Sequence, residues 1–198
     1  MVSVRINGAE SGIQSGGLSK FPELVELIKA NIDPAHMITS ILIDGRLPTE
    51  EEWNANLSQF GTAIIEVETG LPQDYVAAQM SQAADVVQSC FVQFRAARQC
   101  FQAGEMIDGN RALVQAVNTT KAFFDWYSTL LQLLTADQKA LYDIEGQVKE
   151  ISDCCKRICQ QQLYQSWWAL GETLEKELEP KLDKLETFFR NLKSQTCM

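Results

Sequence analysis

The sequence predicts an α+β protein in two parts, a small mixed domain of residues 1–70 and a helical bundle of residues 71–198. Short runs of alternating apolar and polar residues, separated by glycine turns, dominate the first part and favour strands. In the second part, apolar residues recur at alternating three- and four-residue spacings, which favours amphipathic helices. We expect three to four long antiparallel helices in this bundle.

The mixed domain begins with a predicted β-hairpin. Apolar residues alternate with polar ones up to Ile6, and Asn7-Gly8 is a favoured tight turn. The second strand is poorly marked, with Ile13 as its best apolar residue. The remaining expected elements are a helix over Phe21–Asn31, a strand over Met37–Ile43, a short helical segment holding Trp53 and a last strand over residues 62–67.

Residues 72–134 are expected to form two long helices joined by one short turn. Gly104 breaks the first stripe, and Gly109 and Asn110 extend the break. The two stripes are Met80, Ala83, Val87, Cys90, Phe94, Ala97 and Phe101, and then Leu113, Ala116, Thr120, Phe123, Tyr127, Leu130 and Leu134. Phe91, Val117, Phe124 and Leu131 widen these stripes beyond a coiled-coil seam, so we expect them in the core of a bundle.

A third helix is expected to begin at Thr135, because Thr135 and Gln138 have the spacing of a capping box. The apolar stripe that follows shifts register midway, and no Gly, Pro or Asn cluster marks a turn in residues 152–170. Either one long helix covers residues 136–177, or an unmarked turn divides it. Pro180 starts or kinks the last helix.

Composition and charge limit the classes of partner. The net charge of −9 repels phosphate backbones and anionic lipid head groups, so neither nucleic acid nor membrane is an expected partner. No apolar run reaches the roughly 20 residues that a membrane-spanning helix needs. The first residues alternate like a strand and lack the order of a signal peptide, which predicts a cytoplasmic protein with reduced cysteines.

The sequence does not favour an enzyme. It contains a single histidine, His36, and no nucleophile–base pair, phosphate-binding loop or metalloprotease helix. We therefore expect a non-enzymatic protein-interaction module without a cofactor, whose partner is another protein or a second copy of the chain.

The candidate partner-binding residues are Trp168, Trp167 and Tyr164, in the densest aromatic cluster of the chain. Consecutive residues on a helix point about 100° apart. One tryptophan can therefore face the core while the other lies at its edge, and we expect these roles for Trp167 and Trp168 respectively. Exposed tryptophans are enriched in binding hot spots.

Cys154, Cys155 and Cys159 suggest an alternative function. Cys155 and Cys159 are four residues apart and would share a helix face, which could supply two ligands of a zinc site. The neighbouring Lys156 and Arg157 could instead lower the pKa of a thiol and make it reactive. Buried, reduced thiols are the structural interpretation of the same residues.

The first part of the chain resembles the β-grasp fold of ubiquitin-like domains. The resemblance rests on the Asn7-Gly8 hairpin, the Phe21–Asn31 helix, the segment Ser40-Ile41-Leu42-Ile43-Asp44-Gly45-Arg46-Leu47 and the closing segment Thr62-Ala63-Ile64-Ile65-Glu66-Val67. Ubiquitin-like modifiers end in a free Gly-Gly, whereas Thr69-Gly70 here continues into Pro72. The resemblance therefore implies a fused docking or scaffold module and not conjugation chemistry.

The helical hairpin resembles the central hairpin of flagellin export chaperones. The resemblance rests on Phe91, Ala96-Ala97, Phe101, Gly104-Glu105, Ala112, Leu113, Ala116 and Leu130-Leu131. These chaperones are small cytosolic helical proteins that wrap the disordered end of an exported subunit, and they have no N-terminal β-grasp domain. The resemblance implies a chaperone-like binder and no catalytic residue.

Overall fold

A computed structural model describes residues 2–196, apart from the side chains of residues 194–196. The chain divides into two compact units, which meet in sequence between Tyr75 and Val76. The first unit carries a small sheet and the second is helical, so the predicted α+β class is confirmed. Cys197 lies outside the described residues.

The first unit contains a four-stranded mixed sheet. Its elements are β1 (Ser3–Ile6), β2 (Ala9–Glu10), α1 (Phe21–Asn31), β3 (Met37–Ile43), 3₁₀ helices at Glu52–Asn54 and Leu57–Phe60, and β4 (Ile64–Gly70). The strand order is β2-β1-β4-β3. β1 is parallel to β4, and the other neighbours are antiparallel. The buried residues of α1 and of the sheet form one hydrophobic core.

The predicted hairpin is present, but its second strand is shorter than expected. Asn7 and Gly8 have φ values of 49° and 80°, as a tight turn between β1 and β2 requires. β2 ends at Glu10, and Ile13 lies outside it, so the expectation for Ile13 was wrong. Gly12 has a φ of 65°, which turns the chain out of the sheet.

The short helical segment around Trp53 packs against one side of the core of the first unit. The Thr49 N–H donates a hydrogen bond to Glu52 Oε2 at 2.8 Å, and the Glu52 N–H donates one to Thr49 Oγ1 at 3.3 Å, which starts the 3₁₀ helix. The Trp53 ring then meets the ring of the fully buried Phe21 at a centroid distance of 5.4 Å.

The second unit is built from helices. The division between the units falls within α2 (Pro72–Met80), and the following helices are α3 (Ala83–Ala103), α4 (Met106–Leu131), α5 (Ala136–Lys139), α6 (Glu145–Leu163), α7 (Trp167–Thr173) and α8 (Glu179–Thr196). α3 packs on α4 and α8, and α6 packs on α7 and α8. The core stripes of α3 and α4 are buried as the sequence predicts.

A Schellman motif joins α3 to α4 at the predicted turn. Gly104 has a φ of 81°; its N–H donates to the Phe101 carbonyl, and the Glu105 N–H donates to the Cys100 carbonyl at 2.9 Å. Gly109 does not extend the break, contrary to the prediction, because α4 already begins at Met106. A Cβ at Gly109 would lie 2.8 Å from the ring of Phe101, so this glycine allows close helix packing.

The third predicted helix begins where expected but ends after one turn. Thr135 and Gln138 form the capping box, yet α5 covers only Ala136–Lys139. A 3₁₀ turn follows, and the buried Tyr127 hydroxyl donates a hydrogen bond to the Tyr142 carbonyl, which ties this turn to α4. α6 then starts anew at Glu145.

Of the two alternatives for residues 136–177, the structure has the divided one. α6 ends at Leu163, and Gln165 adopts a φ of 54° in the connection to α7. The Ser166 N–H donates a hydrogen bond to the Gln161 carbonyl at 2.8 Å and closes the turn. The apparent register shift therefore marks a change of direction and not one long helix.

Pro180 lies in the first turn of α8, directly after a π-helical segment. This segment covers Leu174–Leu178, and the Glu179 N–H donates to the Leu174 carbonyl. Proline has no N–H, so the wider hydrogen-bond pattern cannot continue through residue 180. The buried Glu179 carboxylate pairs with Arg98 at 2.9 Å, which joins this junction to α3.

Candidate functional site

The turn between α6 and α7 presents large apolar side chains to solvent. Leu163 and Tyr164 are each 81% exposed, and Trp168 is 80% exposed. Tyr164 caps α6, and its backbone N–H donates to the Gln160 carbonyl at 3.0 Å, so the side chain is held outside the helix packing. We call Leu163, Tyr164 and Trp168 the aromatic turn.

The two tryptophans point to different environments. Trp167 is half-buried, and its ring stacks on Phe101 with a centroid distance of 5.4 Å and an interplanar angle of 20°. Trp168 lies on the exposed side of α7, while Leu170 provides the buried contact of this helix. Trp167 therefore holds the aromatic turn against the end of α3, and Trp168 is presented to solvent.

The three clustered cysteines do not converge on one point. Cys154 is buried beside the charged groups Glu150, Glu177 and Lys181, whereas Cys155 and Cys159 face α4. Among the described residues, no group of three or more His, Cys, Asp or Glu is arranged to hold a metal ion.

Burial makes two of these thiols weaker acids. It raises the pKa of Cys155 to about 12, with a smaller contribution from Cys159, and it also raises the pKa of Cys154. Both thiols are therefore neutral near pH 7 and lack the thiolate that a reactive cysteine needs. The basic residues Lys156 and Arg157 do not lower these pKa values below the ordinary one.

An apolar groove runs between α4 and α6. Its wall on α4 is formed by Val117, Phe124 and Leu131, which are half-buried and recur at seven-residue intervals. Opposite them, α6 contributes Val148 and Cys155, also half-buried. The other lining residues near the α6 C-terminal end are Thr120, Lys121, Asp125, Ile151, Ser152, Lys156, Cys159 and Gln160. We call this surface the α4–α6 groove.

The groove is long enough for several helical turns. Its larger part has a volume of about 600 Å³ and a second part about 300 Å³, and both are lined by Phe124 and Val148. From Val117 to Leu131 the wall rises through about four turns, or roughly 21 Å. The floor is closed by Ile151 and Thr120, which are buried.

The sequence contained the signal for this groove, but the interpretation was wrong. We expected Val117, Phe124 and Leu131 to be covered in the bundle core, because they widen the stripe of α4. Their half-buried state shows that α6 does not cover them fully. The same applies to Val148 and Cys155 on α6, while Ile151 and Ile158 are buried. α4 and α6 thus each carry one row of buried apolar residues and a second row of half-buried ones, and we call the second row open.

No family model, curated protein or solved structure matches this chain. The resemblances to ubiquitin-like domains and to flagellin export chaperones therefore rest on sequence pattern and element order. None of the described helices combines the length and the apolar character needed to cross a lipid bilayer.

Proposed function

We propose that this chain is a non-enzymatic protein-interaction module, an adaptor, scaffold or chaperone-like binder, that receives a partner segment in the α4–α6 groove. The observation that carries the proposal is the open apolar row Val117, Phe124 and Leu131, set opposite a second open row on α6. Apolar grooves between helices commonly receive the apolar face of an amphipathic helix. Apolar rows that served only the bundle core would be covered by other helices.

The aromatic turn supports the same class of function. Exposed Tyr164 and Trp168 offer large, rigid contact area, and Trp167 holds the turn in place by stacking on Phe101. We propose that Trp168 and Tyr164 contact a partner directly and that Trp167 supports them. The order hairpin, helix, strand and closing strand in the first unit supports a ubiquitin-like docking module there. A cytoplasmic location stays a prediction from the sequence.

The groove also bears on the choice between binder and enzyme. The only histidine, His36, belongs to the first unit, and the groove lies in the second. The half-buried Cys155 thiol has a raised pKa, so it does not supply a nucleophile at neutral pH. The alternative of a cysteine-based metal or redox protein has less support, because Cys154 is buried beside Glu150, Glu177 and Lys181, whereas Cys155 and Cys159 line the groove.

Co-purification from the native host tests the proposal. Phe124→Glu places a charge in the middle of the groove, and Val114→Glu places the same charge on an exposed position of α4 outside the groove. We expect a partner to be recovered with the wild-type chain and with Val114→Glu, and lost with Phe124→Glu. Equal recovery with all three chains would contradict a groove-based function.

Failure to recover any partner, together with a metabolite that raises the melting temperature, would overturn the interaction class. Metal analysis of protein purified without chelator tests the cysteine alternative. Stoichiometric metal that is lost in Cys155→Ser and Cys159→Ser would favour that alternative over the groove.

A further inference from the structure

The α4–α6 groove can pair with a helix more readily than with an extended segment. The backbones of α4 and α6 are hydrogen-bonded within their own helices, so the groove offers no strand edge to an extended peptide. An extended segment would leave its backbone N–H and C=O groups facing apolar walls, which is costly. A helix satisfies these groups internally and presents only side chains to the groove.

The length and spacing of the apolar walls define the apolar face of such a helix. Val117, Phe124 and Leu131 are seven residues apart, so an antiparallel or parallel helix can place one apolar residue between each pair. A groove of roughly 21 Å accommodates about 14 helical residues. The occupant therefore needs apolar residues at spacings of three, four and seven over about four turns.

The charges that line the groove differ between its two ends. At the end near Cys159, the charged lining residues are Lys121, Lys156 and Asp125. At the end near Ile144, they are Asp143 and Glu145. The formal charge changes from +1 at the first end to −2 at the second, so the two ends attract opposite charges.

The local contacts of these groups reduce this difference but do not reverse it. Asp153, which does not line the groove, pairs with Lys156 at 3.0 Å and offsets part of its charge. Among the described residues that line this end, no carboxylate forms an ion pair with a cation. Asp143 Oδ1 accepts the Glu145 N–H at 3.0 Å at the start of α6, which orients this carboxylate and leaves its charge at the groove end. Asp143 and Glu145 thus make one end of the groove acidic, whereas Lys121 and Lys156 are the cations that line the other end.

We propose that the α4–α6 groove selects an amphipathic partner helix with acidic residues over Lys121 and Lys156 and basic residues over Asp143 and Glu145. This inference rests on the proposed function and adds the charge pattern and the register of the partner. The apolar rows supply the affinity, because they are removed from water. The charged rim sets the orientation, since rim charges contribute more to specificity and association rate than to affinity.

Selection from a display library of random 16-residue peptides tests the inference with the full chain. One selection uses the wild-type chain at low ionic strength, with counter-selection against Phe124→Glu. A second uses the double variant Lys121→Glu/Lys156→Glu, whose substitutions lie on exposed positions. The variant should have a slightly lower melting temperature and remain folded, because each substitution places two like charges three or four residues apart on one helix. Val114→Glu is the matched control for an added charge on α4 outside the groove.

We expect wild-type peptides to share helical apolar spacing, acidic residues toward one end and basic residues toward the other. The double variant should select basic residues where the wild type selects acidic ones. A purified wild-type peptide should bind the double variant about 5- to 30-fold more weakly, the range expected for the loss and reversal of two exposed ion pairs. It should bind Val114→Glu as it binds the wild type.

Each remaining outcome separates the inference from the proposed function. Peptides that depend on Phe124 but show no charge polarity, or that bind the double variant equally well, would overturn only the charge pattern. Peptides that bind Phe124→Glu unchanged, or a selection without enrichment, would overturn both. Light scattering tests whether the occupant is a second copy of the chain. If the wild-type chain is a dimer and Phe124→Glu is a monomer, a second copy occupies the groove, and the proposal of a partner helix is overturned.

Discussion

At the scale of single residues, Gly109 controls how closely α3 and α4 approach. A Cβ there would lie 2.8 Å from ring atoms of Phe101, whose other contacts include the stacked Trp167. We expect Gly109→Ala to lower the free energy of unfolding by about 1–3 kcal/mol, the usual cost of an overpacked core. Urea denaturation followed by far-UV circular dichroism measures the change.

Gly171→Ala is the matched control for this substitution. Gly171 also lies within a helix, but a Cβ there meets nothing within 4 Å. Alanine is a better helix former than glycine by about 1 kcal/mol, so this variant should be as stable as the wild type or more stable. If Gly109→Ala behaved in the same way, the contact with Phe101 would not limit the packing.

The ion pair of Arg46 and Glu52 predicts a pH dependence of the first unit. Hydrogen bonds from the Arg46 guanidinium and from the Thr49 N–H lower the pKa of Glu52 from its ordinary value of 4.5 to about 2. Because the folded pKa is depressed, the stabilisation is complete above about pH 4.5 and is lost as the pH falls toward 2. NMR titration of the Glu52 carboxyl carbon measures this pKa.

Arg46→Gln provides the control for the pH prediction. Without the guanidinium, the pKa of Glu52 should rise toward its ordinary value. The variant should be less stable than the wild type at neutral pH, and it should lose less stability as the pH falls. An unchanged Glu52 titration in this variant would mean that the ion pair is not populated in solution.

At the scale of secondary-structure elements, two adjacent residues of α7 are expected to have different roles, one in stability and the other in binding. Trp167 is half-buried and stacked on Phe101, and Trp168 is exposed. We expect Trp167→Ala to lower the free energy of unfolding by about 1–3 kcal/mol, less than a fully buried aromatic would cost. Trp168→Ala should change it by no more than about 0.5 kcal/mol, as for ordinary surface positions.

Binding should respond in the opposite order. Trp168→Ala should weaken a partner that contacts the aromatic turn, or the dimer if the partner is a second copy, while its melting temperature stays near that of the wild type. Equal destabilisation by Trp167→Ala and Trp168→Ala would mean that neither tryptophan is a surface anchor. The binding face would then have to lie elsewhere.

Element boundaries could be predicted where local chemistry marks them. Asn7-Gly8 and Gly104 have the left-handed φ values that their turns require, and Thr135 with Gln138 forms a real cap. The turn at Gln165 had no such mark, because a non-glycine residue rarely adopts this left-handed conformation. The one-turn length of α5 was also unmarked, because Ala140 keeps right-handed helical dihedral angles where the chain passes into a 3₁₀ turn.

The groove shows why the site could be predicted only in part. The open row Val117, Phe124 and Leu131 was visible as a widened stripe. Whether such a row is covered depends on where α6 lies, and the connections of residues 132–144 and 164–166 set that position. The periodicity of α4 contains no information about those connections. For the two tryptophans, we expected Trp167 in the core and Trp168 at its edge; the structure leaves Trp167 half-buried and exposes Trp168.

At the scale of the whole molecule, each unit has a core of its own, which predicts that the two lose structure separately. Phe21 is fully buried in the first unit and contacts Trp53 and Phe60, at centroid distances of 5.4 and 5.5 Å. Phe21→Ala should cost about 3–5 kcal/mol, a large share of the stability of a small domain, which totals about 5–15 kcal/mol. We expect it to unfold the first unit while the helical unit keeps its denaturation midpoint.

Amide NMR spectra of the full chain distinguish the units directly. In Phe21→Ala, the amide signals of residues up to Tyr75 should move to the chemical shifts of an unfolded chain. The signals from Val76 on should keep their folded chemical shifts. Leu113→Ala, at a buried position of α4, should give the converse result. Loss of both sets of signals in either variant would show that the two cores unfold as one cooperative body. In that event, a partner bound in the α4–α6 groove would stabilise the sheet of the first unit as well, because ligand binding stabilises the whole cooperative unit to which its site belongs.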